Sequence, residues 1–349
     1  MSEVAYLIGA GASAGCIPIV NNMEAAIELL LKDIQQLTAK HHNTIHGDNR
    51  MKFVAQADYC KGVLTKLQLV CKEYFSIDTY AKKLYLTDKI QFEVLKKELC
   101  FYFTLMQIVR PRDKRYDNFF ASVINELGKL PPRIKIISWN YDYQLELSHT
   151  QFTEEKKLNL SRQMLNMVSP ANYQDFSNML NQFSVIKLNG SASFRNGNST
   201  RYLCENLSAR VEENLVQLYA EFDNLMNGPE SIETDLKFAW ESKEFKSMVQ
   251  VYGKELRKVQ TLVVIGYSFP YFNRTIDMAL FSEMKNLKKI YIQDLAPDKI
   301  QEIMVEFVDG KIGSINEIEY IGKTNLAQFV FPKEMDITGP VGHAIKDVS

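Results

Sequence analysis

The chain predicts a Rossmann-like α/β fold, a mostly parallel sheet covered by helices and carrying helical insertions. Three observations lead there. Short, uniformly apolar runs recur along the chain, helical spacing fills the stretches between them, and small or polar residues follow each run. Strands that are apolar on both faces belong to parallel sheets with helices on either side.

The first run, Val4 to Ile8, leads straight into Gly9-Ala10-Gly11-Ala12-Ser13-Ala14-Gly15-Cys16-Ile17-Pro18. The spacing Gly9-x-Gly11-x-x-Ala14 fits a turn whose backbone N–H groups cradle the phosphates of a dinucleotide. A tight strand-to-helix turn without a ligand carries the same spacing, so the loop has to be weighed with the other strand ends. Met23, Ile27, Leu30, Leu31, Ile34 and Leu37 then predict a helix from Met23 to Lys40, with Asn21 or Asn22 as its cap. The run His41-His42-Asn43-Thr44-Ile45-His46-Gly47 reads as a solvated loop, because its histidines lack the spacing of a metal pair. From Lys52 to Leu127 the pattern is helical nearly throughout, and Pro131-Pro132 is expected to stop it.

The second strand, Ile134 to Ser138, is followed by Trp139-Asn140-Tyr141-Asp142 and a helical stretch from Tyr143 to Leu147. A third, Phe183 to Leu188, ends in Asn189-Gly190-Ser191, and the polar stretch Ser193 to Arg201 suits a surface loop. Helices are expected over Leu207–Met226 and Glu241–Val259. The fourth strand, Thr261 to Ile265, ends in Gly266-Tyr267-Ser268-Phe269-Pro270 and precedes a helix from Asn273 to Asn286. The fifth, Lys289 to Ile292, ends in Asp294 with a helix from Asp298 to Phe307 behind it, and a last strand is expected at Glu317 to Ile321. After Phe331, Pro332, Gly339 and Pro340 leave either a docked arm or a partly disordered tail. The expected organisation is a core of residues 1–20 and 131–330, helical insertions at 21–130 and 195–258, and a tail at 331–349.

Composition narrows the function classes. Hydrophobic residues at 46%, charged residues at 24% and a net charge of −1 describe an ordinary globular chain without the basic field of a nucleic-acid binder. The absence of a basic leader and of any span-length apolar run predicts a cytoplasmic protein with no membrane contact. The 5 cysteines are scattered with no C-x-x-C pair, which argues against a disulfide framework and a zinc ribbon, and no metal is expected. Cys60, Cys71 and Cys100 read as small apolar filler on helices.

In sheets of this kind ligands bind beyond the carboxyl ends of the strands, where strand order reverses. Those ends carry Gly9 to Ser13, Asn140 with Asp142, Asn189 with Ser191, Gly266 with Ser268, and Asp294. One polar residue after a strand is only a turn. A succession of them suggests a pocket in which a few placed polar groups meet an apolar wall.

The motifs together resemble the sirtuin (SIR2-like) superfamily. Gly9-Ala10-Gly11-Ala12-Ser13 with Gly15-Cys16-Ile17-Pro18 is similar to its glycine–alanine–serine loop and "GIP" segment. Asn140-Tyr141-Asp142 is similar to its asparagine–aspartate motif, Lys187-Leu188-Asn189-Gly190-Ser191 to its lysine–leucine–histidine–glycine–serine motif, and Gly266-Tyr267-Ser268-Phe269 to its glycine-x-serine turn. The likeness covers residues 4 to 322 as scattered motifs and is nearest to the zinc-free domains of bacterial antiphage defence systems. It implies that NAD is bound, with its diphosphate on Gly9, Ala10, Gly11, Ala12 and Ser13 and with Pro18 of the "GIP" segment among the residues that bind it. The nicotinamide ribose would lie near Asn140, Gly266 and Ser268 would face the rest of the dinucleotide, and Asp294 would accept from a ribose hydroxyl or the adenine amino group. It implies cleavage of the nicotinamide–ribose bond, with Asn140 and Asp142 stabilising the positive charge that builds on the ribose. It further implies a homo-oligomer and a defence partner such as a hexameric ATPase or an Argonaute-like protein.

Two departures bear on activity. Asn189 stands where the family has its catalytic histidine, and an amide cannot take the proton that an imidazole can, a loss of about 10²–10⁴-fold if nothing replaces it. Ile19-Val20-Asn21 stands where the family has Asp-Phe-Arg, and the cysteine pairs of sirtuin deacylases are missing, which argues against protein deacylation. Two readings follow: an NAD glycohydrolase acting as an antiphage effector, or a catalytically silent nucleotide-binding or scaffold module.

Overall fold

Residues Val4 to Ile8 are buried without exception because both faces of the strand they form are covered. The computed structural model describes residues 3–42, 48–173, 181–196, 199–205, 207, 210–228, 232–241, 244–308 and 318–335. Strand β1 (Glu3–Ile8) lies inside a seven-stranded sheet with β2 (Ile134–Ser138), β3 (Met167–Val168), β4 (Ser184–Lys187), β8 (Val259–Ile265), β9 (Lys289–Gln293) and β10 (Glu319–Lys323). The order is β10-β9-β8-β1-β2-β4-β3, and every described pairing is parallel. The Rossmann-like sheet that the apolar runs predict is therefore present. Strand β3 has too few residues to show a pattern in sequence, and it takes the edge beside β4.

The sides of β1 face different layers. Val4, Tyr6 and Ile8 meet Tyr116, Phe119 and Phe120 of helix α5 (Lys114–Val123). Ala5 and Leu7 share a core with α9 (Glu244–Leu256), α10 (Arg274–Glu283) and α11 (Pro297–Val308). Each large aliphatic or aromatic side chain buried in this way contributes about 1.5–3 kcal/mol.

A second core belongs to a bundle. Helices α1 (Met23–His42), α2 (Asp48–Glu73), α3 (Ile77–Thr87), α4 (Lys89–Val109) and α8 (Val211–Asn227) enclose Ile27, Leu64, Leu99 and Phe222. Cys60 and Cys100 are buried in it as apolar filler, with Cys71 half-buried at its margin. The helical block beginning at Lys52 is divided by caps: Ser76 accepts from the Thr79 N–H, Asp88 from that of Gln91, and Asp113 from that of Arg115. The stretches 21–130 and 195–258 are each split between layers. α1–α4 and α8 form the bundle, whereas α5 and α9 lie on the sheet. Helical period identifies an apolar face but not the surface it will meet.

Two local expectations are corrected. Helix α5 ends at Val123, well before Pro131, where the Asn125 side chain accepts from the N–H groups of Leu127 and Lys129 and Gly128 takes a φ of 70°. The Ser193–Arg201 stretch is not a surface loop. It contributes β5 (Phe194–Asn196) and β6 (Ser199–Arg201) to an antiparallel sheet completed by β7 (Glu233–Thr234), with Ser193 and Phe194 buried. Strands this short show no alternation, and their ladder is made by backbone groups that any sequence supplies. Between β2 and β3 lie α6 (Gln144–His149) and α7 (Leu158–Met164).

The described end of the chain, 324–335, is a strap docked on the α5 side of the sheet. Gln293 donates to the Asn325 and Gln328 carbonyls and accepts from the Val330 N–H. Tyr6 donates to the Val330 carbonyl, Phe331 stacks on Phe119, and Glu334 pairs with Lys289. The rest of the tail, 336–349, lies outside the described residues, as do 43–47 of the histidine-bearing run. No helix among the described residues is long and apolar enough to cross a membrane.

Candidate functional site at the carboxyl edge of the sheet

Strand order reverses at β1, which has β2 on one side and β8 on the other. The glycine-rich loop is a single 3-10 turn, Ala10–Ser13, and its amides are largely engaged within the protein. Gly9 donates to the Ile265 carbonyl at 3.0 Å, Gly11 to that of Gly266 at 2.9 Å, Ala12 to that of Gly9 at 2.9 Å and Gly15 to the Asp113 carboxylate at 3.3 Å. The glycines have a reason that spacing does not disclose. A Cβ on Gly9 would stand 2.7 Å from the Gly266 oxygen and from Tyr267, and one on Gly11 would stand 2.6 Å from the Gly266 Cα. The close approach they permit is that of one strand-end turn to another. Gly266 itself has a φ of 55°.

Helix α5 holds the loop from the side. Arg115 donates to the Gly11 and Ala12 carbonyls at 3.3 and 3.0 Å and pairs with Asp113 at 2.7 Å. The Ser13 and Tyr116 hydroxyls share a hydrogen bond of 2.9 Å, and Asn140 Nδ2 donates to Ser13 Oγ at 3.2 Å. Burial keeps the Tyr116 phenol protonated, with the Asp142 charge acting in the same direction. Phe329 of the strap packs edge-on against Tyr116 and under the Arg115 guanidinium. Replacing Arg115 by Met is expected to cost about 3 kcal/mol, because the buried Asp113 carboxylate loses its partner. Urea denaturation measures this, and a loss under about 0.5 kcal/mol would make the pair no stronger than an exposed one.

Asn189, at the end of β4, is 7% exposed. Its Nδ2 donates to the Trp139 carbonyl at 3.3 Å, an acceptor that fixes the orientation of the amide, and its Oδ1 has no partner among the described residues. Asp142 accepts from the Gln144 N–H at 3.1 Å, and its carbonyl takes a short hydrogen bond from the buried Lys187 ammonium. Cys16, behind the loop, accepts from Gln144, and burial pushes its thiol up to about 12, so it stays a neutral filler.

The other expected residues are placed differently. Ser191 accepts from Arg162, which also donates to Tyr202 and pairs with Asp235 at 3.1 Å in a fully buried cluster behind the Asn189 turn. Ser268 is exposed. Asp294 accepts from the Ala296 N–H in the turn that precedes α11. Pro18, half-buried, leads the loop toward α1. His149 is bonded to Ser161 at 3.1 Å and stacked edge-on with Phe120, and burial pulls its pKa down to about 4. It takes no part in the strand-end cluster.

The structure thus brings Ser13 to Asn140 and Asn189 to Trp139 by two hydrogen bonds that meet at consecutive residues of the β2 end, with Gly266 interlocked against the loop. The chain matches no protein-family model and no curated protein. Asp113, Arg115 and Tyr116 escape the sequence reading because they lie on a helix about a hundred residues from the loop, with no motif to mark them. Trp139 and Tyr267 stand inside the quoted motifs, but nothing there reveals that both bond to Asp277.

Proposed function

We propose that this edge binds a dinucleotide of the NAD class and cleaves its nicotinamide–ribose bond. The observation that carries the reading is the Asn189 Oδ1, a buried acceptor with no partner among the described residues, on a side chain bonded to Trp139, the residue before the Asn140 that bonds Ser13. A buried acceptor left unmade costs about 1–3 kcal/mol, which a ligand hydroxyl or amide donor would recover. In the reaction water adds to the ribose C1′, the C1′–N bond breaks with its electron pair leaving on nicotinamide, and the water proton is released. Asp142 and Asn140 supply negative charge and an amide oxygen for the cationic ribose, and the buried setting strengthens both. On this reading the chain acts as an antiphage effector, assembled with itself or with a defence partner such as an ATPase or an Argonaute-like protein.

A second reading, binding without turnover, is favoured by the same residue. Asn189 cannot act as a base, and His149 is committed to Ser161. Incubating the protein with NAD, alone and with candidate partners, and measuring nicotinamide release separates the two. Thermal stabilisation by ADP-ribose reports binding in either case, worth about 2.7 kcal/mol at a hundred times Kd. The expected result is stabilisation that Asn140→Ala weakens at least about tenfold in Kd. No stabilisation by NAD or ADP-ribose, together with no nicotinamide under any condition, would end both readings.

A further inference from the structure

Beneath the site lies a group that neither motif nor mechanism uses. Asp277, on the first turns of α10, is fully buried. Its Oδ1 accepts from Trp139 Nε1 at 3.1 Å and its Oδ2 from the Tyr267 hydroxyl at 2.8 Å. The two donor rings stack on each other, 5.9 Å apart and 16° from parallel. They belong to the ends of β2 and β8, the strands on either side of β1.

Both rings are continuous with the site. The Trp139 N–H donates to the Ile8 carbonyl at the end of β1, and the Trp139 carbonyl receives Asn189. Tyr267 packs against the Gly9 backbone, and its neighbour Gly266 receives the Gly11 N–H. One carboxyl group therefore ties the ends of β2 and β8 to each other, and through them the glycine loop and Asn189.

We propose that Asp277 is the positioning residue of the strand-end site, setting the glycine loop and Asn189 through Tyr267 and Trp139. As regards ligand binding this rests on the reading above. As regards the order of the loop it stands alone.

The carboxyl group can act in two states. Burial pushes its pKa up to about 7, against the hydrogen bonds from Tyr267 and Trp139 and the Arg274 charge one turn back on α10. From β2 and β8 it faces the neutral Trp139 N–H and Tyr267 O–H, and α9 adds the Tyr252 ring and apolar side chains to the same core. The Asn273 amide reaches it only through the Tyr267 hydroxyl. Ionised, Asp277 accepts from both donors in charge-assisted bonds about twice as strong as neutral ones. Protonated, it must turn one oxygen into a donor, and only Tyr267 can accept, since the indole N–H cannot. The site is therefore held more tightly above pH 7 than below it.

Folding stability runs the other way. The folded chain binds more protons than the unfolded chain between the ordinary aspartate value of 3.8 and about 7, so this residue's contribution falls as pH rises through that window and is level above it. A carboxyl group that merely filled space would not move the two properties in opposite directions.

The test follows hydrogen exchange of the Gly9–Ile17 segment, corrected for intrinsic rates, from about pH 5.5 to 8.5 in the wild type and in Asp277→Asn. Asparagine can accept from Trp139 and donate to Tyr267, so it imitates the protonated state at every pH. The wild type is expected to gain about threefold to tenfold in protection across the range, with Trp139 fluorescence in a Trp240→Phe background following the same midpoint, while Asp277→Asn stays flat in both. If Asp277→Asn fails to fold, Tyr267→Phe serves: it removes one bond to the ionised form and should move the fluorescence midpoint to higher pH. Equal protection profiles, or an unmoved midpoint in Tyr267→Phe, would overturn the assignment. Calorimetry with ADP-ribose at the same pH values adds the binding arm. Wild-type affinity should rise with loop protection, and affinity unchanged across the range while protection rises would refute positioning of the ligand. Absence of binding by both NAD and ADP-ribose at every pH, with no nicotinamide released, would instead defeat the proposed function, leaving the exchange and fluorescence results to decide the role of Asp277 in the loop.

Discussion

Replacing Asn189 by His is expected to raise the rate of nicotinamide release from NAD by about 10²–10⁴-fold, the range a well-placed general base contributes. The local geometry supports the gain. Asn189 Nδ2 already donates to the Trp139 carbonyl, and a histidine there can offer Nδ1–H to the same oxygen. That bond would select the tautomer with a lone pair on Nε2, which reaches one bond beyond the ring carbon Cδ2 that takes the place of the Asn189 Oδ1, an atom with no partner among the described residues. The rate should then depend on pH, falling as the new imidazole takes a proton near its ordinary pKa of about 6.5. Nicotinamide release by wild type and variant at several pH values measures this. A variant that folds, binds ADP-ribose and hydrolyses no faster than wild type would show that position 189 does not face the scissile bond.

Gly266→Ala is the second large effect. The residue has a φ of 55°, and its added Cβ would stand 2.4 Å from the Gly11 Cα and 2.6 Å from the Ala12 nitrogen, both backbone atoms with no rotamer to yield. The left-handed conformation alone costs an alanine about 1–2 kcal/mol, and overpacking adds about 1–3 kcal/mol. Urea unfolding should show a loss of about 2–5 kcal/mol, together with weaker stabilisation by NAD. Gly62→Ala is the control. That glycine is exposed on α2 with nothing within 4 Å of an added Cβ, so the same substitution should stabilise by about 0.5–1 kcal/mol. Equal outcomes at the two positions would refute the interlock of the two turns.

The parallel sheet was legible in the chain because strands covered on both faces need apolar residues at every position, and such runs stand out against amphipathic helices. Val4–Ile8, Ile134–Ser138 and Thr261–Ile265 all belong to strands found where those runs lie. Strand β3 and the small sheet were illegible because runs of two or three residues carry no period. Within the site, the strand-end residues could be listed from their positions, but their orientations could not. Asn140 turned to Ser13, Ser191 turned away to Arg162, and Asp294 turned back to the turn before α11.

Local chemistry, which a linear chain displays, shows where the long buried strands lie and which stretches are helical. Contact between distant segments decides the rest: that Gly9 and Gly11 make room for Gly266 as well as for any ligand, that Arg115 and Tyr116 hold the loop, and that Asp277 joins two strand ends. The division has a physical cause. Propensity and burial pattern act over a few neighbouring residues, whereas a hydrogen bond between residues more than a hundred positions apart exists only once the core has brought them together.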